Sequence, residues 1–175
     1  MSDLRPRILE TDRLILRGPS PEDVAPMFGF LKSDHSRFYG GPMTDDEAWR
    51  KLTLYAGQWA LRGYGLFSVY RKPDMAMIGM AGPYHPAEFP EPELSWLVVG
   101  PEFEGQGLAR EACQAVLTHL FSDLGWASVV SFIDAANHRS RVLAERLGAQ
   151  LDPGADIPLE NCDAYRHQPK TGVAQ

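Results

Sequence analysis

Trp96-Leu97-Val98-Val99-Gly100-Pro101-Glu102-Phe103-Glu104-Gly105-Gln106-Gly107-Leu108-Ala109-Arg110-Glu111-Ala112 decides the reading of this chain. An apolar run comes first, then a tight glycine loop, then the opening turn of an amphipathic helix. A strand, loop and helix in that order aim several backbone N–H groups at one point, and the helix macrodipole favours negative charge there. The stretch therefore predicts a site for a phosphate-bearing ligand. Single residues exclude two common phosphate motifs. Arg110 stands where a dinucleotide fingerprint needs its third glycine, and the loop lacks the Gly-Lys-Ser/Thr ending of a P-loop.

Working outward, Leu14-Ile15-Leu16-Arg17 predicts a first strand, and Ser20-Pro21 predicts the cap and first turn of a helix reaching about Leu31. Residues Lys32 to Met43 read as a loop around Gly40-Gly41-Pro42. Thr44 and Glu47 have the spacing of a capping box, and Trp49, Leu52, Ala56, Trp59 and Ala60 follow at helical spacing up to Gly63. Leu66 to Tyr70 and Met75 to Ala81, joined by Arg71-Lys72-Pro73-Asp74, predict an antiparallel hairpin. Gly82 to Pro92 carries four prolines and reads as a surface loop. In the strand that follows, Leu94, Trp96 and Val98 share one face, while Glu93, Ser95, Leu97 and Val99 share the other.

Beyond the glycine loop, Ala109, Ala112, Cys113, Val116, Leu120 and Leu124 form a 3.6-residue stripe that ends at Gly125. Ser128 to Ile133 predicts a strand, Asn137 to Leu147 a short helix closed by Gly148, and Ala164 to His167 a last strand. The order β-α-α-β-β-β-α-β-α-β predicts an α/β (α+β) fold, a mixed sheet with helices packed on it. One domain is expected over residues 8–168, with flexible termini at 1–7 and 169–175.

The chain has 175 residues, 44% hydrophobic and 23% charged, with a formal net charge of −6. That length supports one sizeable core, and the absence of a long basic run argues against nucleic acid as a partner. Cys113 and Cys162 lie in no metal-spaced pair, and the five histidines show no metal spacing, so no metal is expected. The polar start Ser2-Asp3-Leu4-Arg5 and the lack of a run of ~18 apolar residues predict no membrane partner and a cytoplasmic address. Trp49 and Trp59 read as core or helix face, Trp96 as core. Cys113 falls on the buried stripe. Tyr39, Tyr64 and Tyr84 lie near loops that could line a pocket.

A second motif answers the first: Asn137-His138-Arg139-Ser140, leading into Glu145-Arg146-Leu147-Gly148. Together the two resemble the GNAT superfamily of acyl-CoA-dependent N-acetyltransferases. The glycine loop matches a pyrophosphate loop usually written Gln/Arg-x-x-Gly-x-Gly/Ala, with Gly107 and Ala109 at its small positions and Glu104 where Gln or Arg is usual. The opening Leu9-Glu10-Thr11-Asp12-Arg13-Leu14-Ile15-Leu16-Arg17 resembles the branch that includes ribosomal-protein N-terminal acetyltransferases. The resemblance runs from about Ile8 to His167. It implies a mostly antiparallel sheet of about six to seven strands with helices on both faces.

It also implies acetyl-CoA as co-substrate and a primary amine, on a peptide or a small molecule, as acceptor. The N–H groups of Gly105, Gln106, Gly107, Leu108, Ala109 and Arg110 would hold the pyrophosphate. Backbone at Leu97, Val98 and Val99 would pair with the pantetheine arm, which enters a gap between this strand and the one around Ser131. An N–H near Val98 would stabilise the developing oxyanion. Asn137 would bond the cofactor, and Ser140 would sit near its thiol. Glu93 is the first candidate for the base that removes the ammonium proton, since it starts the thioester-holding strand; Glu88, Glu91 and His85 follow. The family's usual tyrosine acid is replaced by Ala144, a change that leaves Ser140 as the candidate acid. A monomer or homodimer is expected. Two other readings remain: a catalytically silent acyl-CoA-binding or sensor domain, suggested by Ala144 and Glu104, and a nucleotide-dependent oxidoreductase, opposed by the missing glycine.

Overall fold

The computed structural model describes residues 8–169, and the tails expected at either end lie outside them apart from Pro169. Eight strands form one sheet in the spatial order β1-β2-β3-β4-β5-β6-β8-β7. They are β1 (Leu9–Glu10), β2 (Leu14–Arg17), β3 (Phe67–Arg71), β4 (Ala76–Tyr84), β5 (Glu93–Val98), β6 (Val129–Asp134), β7 (Gln150–Leu151) and β8 (Cys162–His167). The sheet thus exceeds the expected six to seven strands. The additions, β1 and β7, are two residues each, too short to show an alternating pattern in sequence.

Every neighbouring pair is antiparallel except β5 and β6. Those two run parallel and pair at a single position, Glu93 with Val130. By contrast β4 and β5 pair continuously from Gly79↔Val98 to Tyr84↔Glu93. The sheet therefore forks in its middle, and β5 and β6 part toward their C-terminal ends. Ser131 Oγ donates to the Leu94 carbonyl at 2.7 Å and pins the base of the fork.

Helices cover both faces. On one face α3 (Leu108–Thr118) and α4 (His138–Arg146) close over Leu14, Phe67, Ile78, Trp96 and Val129. On the other, α1 (Val24–Leu31) and α2 (Asp45–Arg62) close over Tyr70, Met77, Met80 and Leu97. The centre of β4 is consequently buried on both sides. Helix α2 starts where its box predicts: Thr44 accepts from the Glu47 N–H and Glu47 bonds back to the Thr44 N–H at 2.8 Å. A cap of this kind contributes about 1 kcal/mol.

Three expectations change. Gly82 to Pro92 is not wholly a loop, because β4 continues to Tyr84 and Phe89 is buried. Gly82 serves close approach rather than a turn: at φ 155° a Cβ there would lie 2.5 Å from the Gly65 carbonyl oxygen. Leu124 leaves the stripe and is 44% exposed. The helix widens into a π-turn at His119–Asp123, with the Leu124 N–H reaching back five residues to the His119 carbonyl, and this rotates later positions off the core face. Third, the loop Lys32 to Met43 contains a 3₁₀ helix, Asp34–Tyr39, that brings Phe38 and Tyr39 to the fork.

Candidate active site

The glycine loop leaves β5, turns at Gly105 (φ 71°) and Gly107 (φ 75°), and enters α3. Both angles lie in the left-handed region that favours glycine. A Cβ on Gly105 would meet nothing within 4 Å, so the loop backbone is open to an approaching group. The first backward hydrogen bond of α3 runs from Glu111 N–H to the Gly107 carbonyl, which leaves the N–H groups of Leu108, Ala109 and Arg110 without intrahelical partners.

These groups border a cleft of about 910 Å³ between the loop, β5 and α4. Gly105, Gly107, Leu108, Ala109, Arg110, Val98, Asn137 and Ser140 lie on its wall, as do the guanidinium-bearing Arg37, Arg110, Arg139 and Arg146. The cleft is thus locally cationic in a chain of net charge −6. Gln106 is absent from this wall; its side chain donates to the Glu102 carbonyl, and its own carbonyl accepts from Arg13.

Strand β5 offers the fork only alternate residues. The Val99 N–H donates to the Ile78 carbonyl at 3.0 Å, so the ladder alternation turns the backbone groups of Leu97 and Val99 toward β4. Those of Leu94, Trp96 and Val98 turn toward the gap. The Leu94 carbonyl is taken by Ser131, and the Trp96 carbonyl accepts from the Tyr39 hydroxyl. Of Leu97, Val98 and Val99, the three positions expected to meet a ligand, Val98 alone faces the gap and lines the cleft; Leu97 packs into the opposite core.

A second cavity, about 300 Å³, lies on the other side of the fork. Its wall includes Glu93, Lys51, Tyr55, Tyr84, Phe89 and Phe132. Phe38, Tyr39, Trp96, Asn137 and Ser140 border both spaces, so the two meet at these residues. Asn137 caps α4, its Oδ1 accepting from the Ser140 N–H at 3.2 Å.

Glu93 is 7% exposed. Burial pushes its pKa up to about 8, against the opposing pulls of the Phe132 N–H, which donates to Oε2 at 3.2 Å, and of the Lys51 charge. Burial likewise raises the Tyr39 hydroxyl well above its usual range, with Cys113 and Glu93 adding to the rise, and lifts Tyr84 to about 12. These tyrosines are therefore neutral hydrogen-bonding groups at pH 7. Ala144 is fully buried in the α3–α4 core, so no hydroxyl can come from that position.

The other candidates separate cleanly. Glu88 sits on the rim of the smaller cavity. Glu91 is committed to Arg166 through two bonds. His85 Nδ1 bonds the Tyr64 hydroxyl at 2.9 Å and Nε2 bonds the Phe89 carbonyl, and Tyr64 packs edge-on against Trp126 rather than lining either space. Burial raises the Cys113 thiol and keeps it inert. Glu104 pairs with Arg139 across the mouth of the cleft, a contact invisible in sequence because the partners are 35 residues apart. Among the described residues no group of three or more His, Cys, Asp or Glu could hold a metal, and no helix is long and apolar enough to cross a membrane.

A forked, mostly antiparallel sheet with a glycine loop opening onto the fork defines a class of acyl-donor folds, and comparison with known proteins agrees. The family model described as "Acetyltransferase (GNAT) domain" matches residues 13–150. The chain belongs to the GNAT acetyltransferase family. It is similar to an acetyltransferase from Agrobacterium tumefaciens str. C58, at 31% identity and TM-score 0.88, covering 93% of this chain and 95% of that one. It is 26% identical to the uncharacterized N-acetyltransferase YoaA of Bacillus subtilis (strain 168), over 83% of this chain and 84% of the relative. The fold also matches RimL, a ribosomal L7/L12 α-N-protein acetyltransferase solved in complex with coenzyme A, at 15% identity and TM-score 0.67, over 93% and 98% of the two chains.

Proposed function

We propose that the protein moves the acetyl group of acetyl-CoA to a primary amine by direct attack of the amine on the thioester carbon. The observation that carries this reading is the meeting of two cavities at the fork, one cationic and lined by the glycine loop, the other holding Glu93. The loop N–H groups from Gly105 to Arg110 and the surrounding arginines suit a pyrophosphate. Val98 offers backbone toward the gap, where a pantetheine arm with its amides can lie as a partial strand. The Val98 N–H is the donor aimed at the thioester oxygen, where negative charge develops.

Glu93 is the base in this reading. Its pKa of about 8 matches that of an α-ammonium, about 7.7–8.0, so the proton moves between near-equal partners. The leaving thiolate has a reference thiol pKa of about 8.5 and needs only a weak acid. Ser140 and Tyr39 are the hydroxyls on the shared wall; Tyr39 donates its proton to the Trp96 carbonyl, so Ser140 supplies the donor that Ala144 does not. Holding amine and thioester in joined cavities adds the advantage of proximity. The likeness of the Leu9–Arg17 opening to the ribosomal-protein branch keeps a protein N-terminus among the acceptors alongside small amines.

A thiol-release assay with acetyl-CoA against amines and N-terminal peptides tests the reading. Amine-dependent CoA release is the expected result. Tight acetyl-CoA binding with no release by any amine would instead favour a silent binding domain, the alternative that Ala144 motivates.

A further inference from the structure

We infer that the acceptor is a free α-amino acid with an apolar or aromatic side chain, its carboxylate bound by Lys51 and its amine presented to Glu93. This rests on the smaller cavity being the acceptor site. Among the described residues Lys51 is the one cation on that cavity's wall. It stands on α2 one turn before Tyr55, so the two share a helix face. Its ammonium lies 5.9 Å from the Tyr55 ring centroid and 5.4 Å from that of Tyr84. It makes no ion pair among the described residues, although burial disfavours its charged form.

Three carboxylates share the cavity with it. Glu93 is buried and accepts from the Phe132 N–H; Asp134 Oδ1 accepts from the Ala136 N–H at 2.8 Å; Glu88 is exposed at the rim. None touches Lys51. A partly desolvated ammonium that lies over two rings, with the charges of Glu93 and Glu88 acting on it without contact, gains most from a ligand carboxylate, which forms a charge-assisted hydrogen bond. Between Lys51 and the fork the wall is aromatic. Tyr55, Tyr84, Phe89 and Phe132 form a chain of edge-to-face contacts with centroids 5.7, 5.7 and 5.6 Å apart. The cavity, about 300 Å³, is at the small end of the roughly 300–1,000 Å³ typical of ligand sites. A cation, a base and an aromatic wall within one small cavity match a small zwitterion whose side chain packs on the rings. A peptide N-terminus carries a neutral amide where Lys51 requires charge.

The test compares L-phenylalanine, phenethylamine (the same amine without the carboxylate) and a peptide beginning with phenylalanine, each with acetyl-CoA. In the wild type, kcat/KM for phenylalanine should exceed that for either other acceptor by at least about tenfold, the size of one charge-assisted bond. Lys51→Gln should lower the phenylalanine-to-phenethylamine ratio about tenfold, chiefly through KM, and Lys51→Arg should preserve the ratio. Equal or better use of phenethylamine or the peptide by the wild type overturns the amino-acid assignment while leaving acetyl transfer intact. So does an unchanged ratio in folded Lys51→Gln, checked by thermal melting. No CoA release with any of the three overturns the amino-acid assignment, and only the failure of every amine in the wider panel overturns acetyl transfer with it.

Discussion

The cleft over the glycine loop and the cavity beside Glu93 share wall residues, yet they are made from different parts of the chain. Both take residues from β5, the 3₁₀ helix and the start of α4. To these the cleft adds the glycine loop and the first turn of α3, and so a wall of backbone, while the cavity adds side chains from α2, β4, the proline-rich loop and β6. A backbone-built site depends on glycines and a helix terminus, which local sequence specifies. A side-chain-built site depends on which distant segments the sheet brings together. Under the proposed function, the first would admit a common donor, while the second could change its acceptor residue by residue.

The largest effect should come from Gly107→Glu. It forces a side chain into a left-handed backbone position, costing roughly 1–2 kcal/mol, and adds negative charge where phosphate would lie. Acetyl-CoA affinity should fall by about a thousandfold, read by calorimetry on a folded variant. Retained affinity would break the comparison by removing the loop from the donor site.

Glu93→Gln comes next and probes the other region. Turnover should drop about a hundredfold, within the usual range for a lost general base. The sign of the pH effect follows from the raised pKa. Below about 8 the wild-type carboxyl is protonated and cannot accept a proton, so kcat/KM should rise with pH and level off above 8. The variant should keep only the limb set by the amine's own ionisation, so that its midpoint follows the amine used, while acetyl-CoA affinity stays close to wild type. Wild-type turnover in the variant across this pH range would exclude Glu93 as base.

Tyr39→Phe tests the wall between the regions. It leaves the Trp96 carbonyl without its donor, so unfolding free energy measured in urea should fall by about 1–3 kcal/mol, the cost of an unsatisfied buried group. The smallest effect should be that of Glu104→Gln. It releases Arg139 and removes an anion from the cleft mouth, and acetyl-CoA should bind a few-fold more tightly, more so at low salt. Weaker binding would mean that the ion pair instead holds the loop in place.

The outcome of the sequence reading follows the same division. The capping box at Thr44, the hairpin, the glycine loop and the Asn137 cap are local patterns, and each stands where its residues predict. What was not legible has physical causes. Strands β1 and β7 are two residues long and exist only by pairing with a neighbour. The π-turn that expels Leu124 leaves no mark on the periodicity before it. Tyr39 is one more loop aromatic until the 3₁₀ helix turns its hydroxyl onto β5. Glu104 is a departure from a motif until Arg139 is found across the cleft.

By itself the sequence determined the order of elements, the glycine loop and the family likeness that names a phosphate-bearing donor, because these rest on backbone conformations set within a few residues. Tertiary structure decided the rest. It parted β5 from β6, turned Val98 toward the gap while committing Leu97 and Val99 to β4, buried Glu93 enough to raise its pKa, and set Lys51 on the wall of the same aromatic cavity. Those are relations between residues far apart in the chain, fixed by sheet register and packing rather than by local propensity.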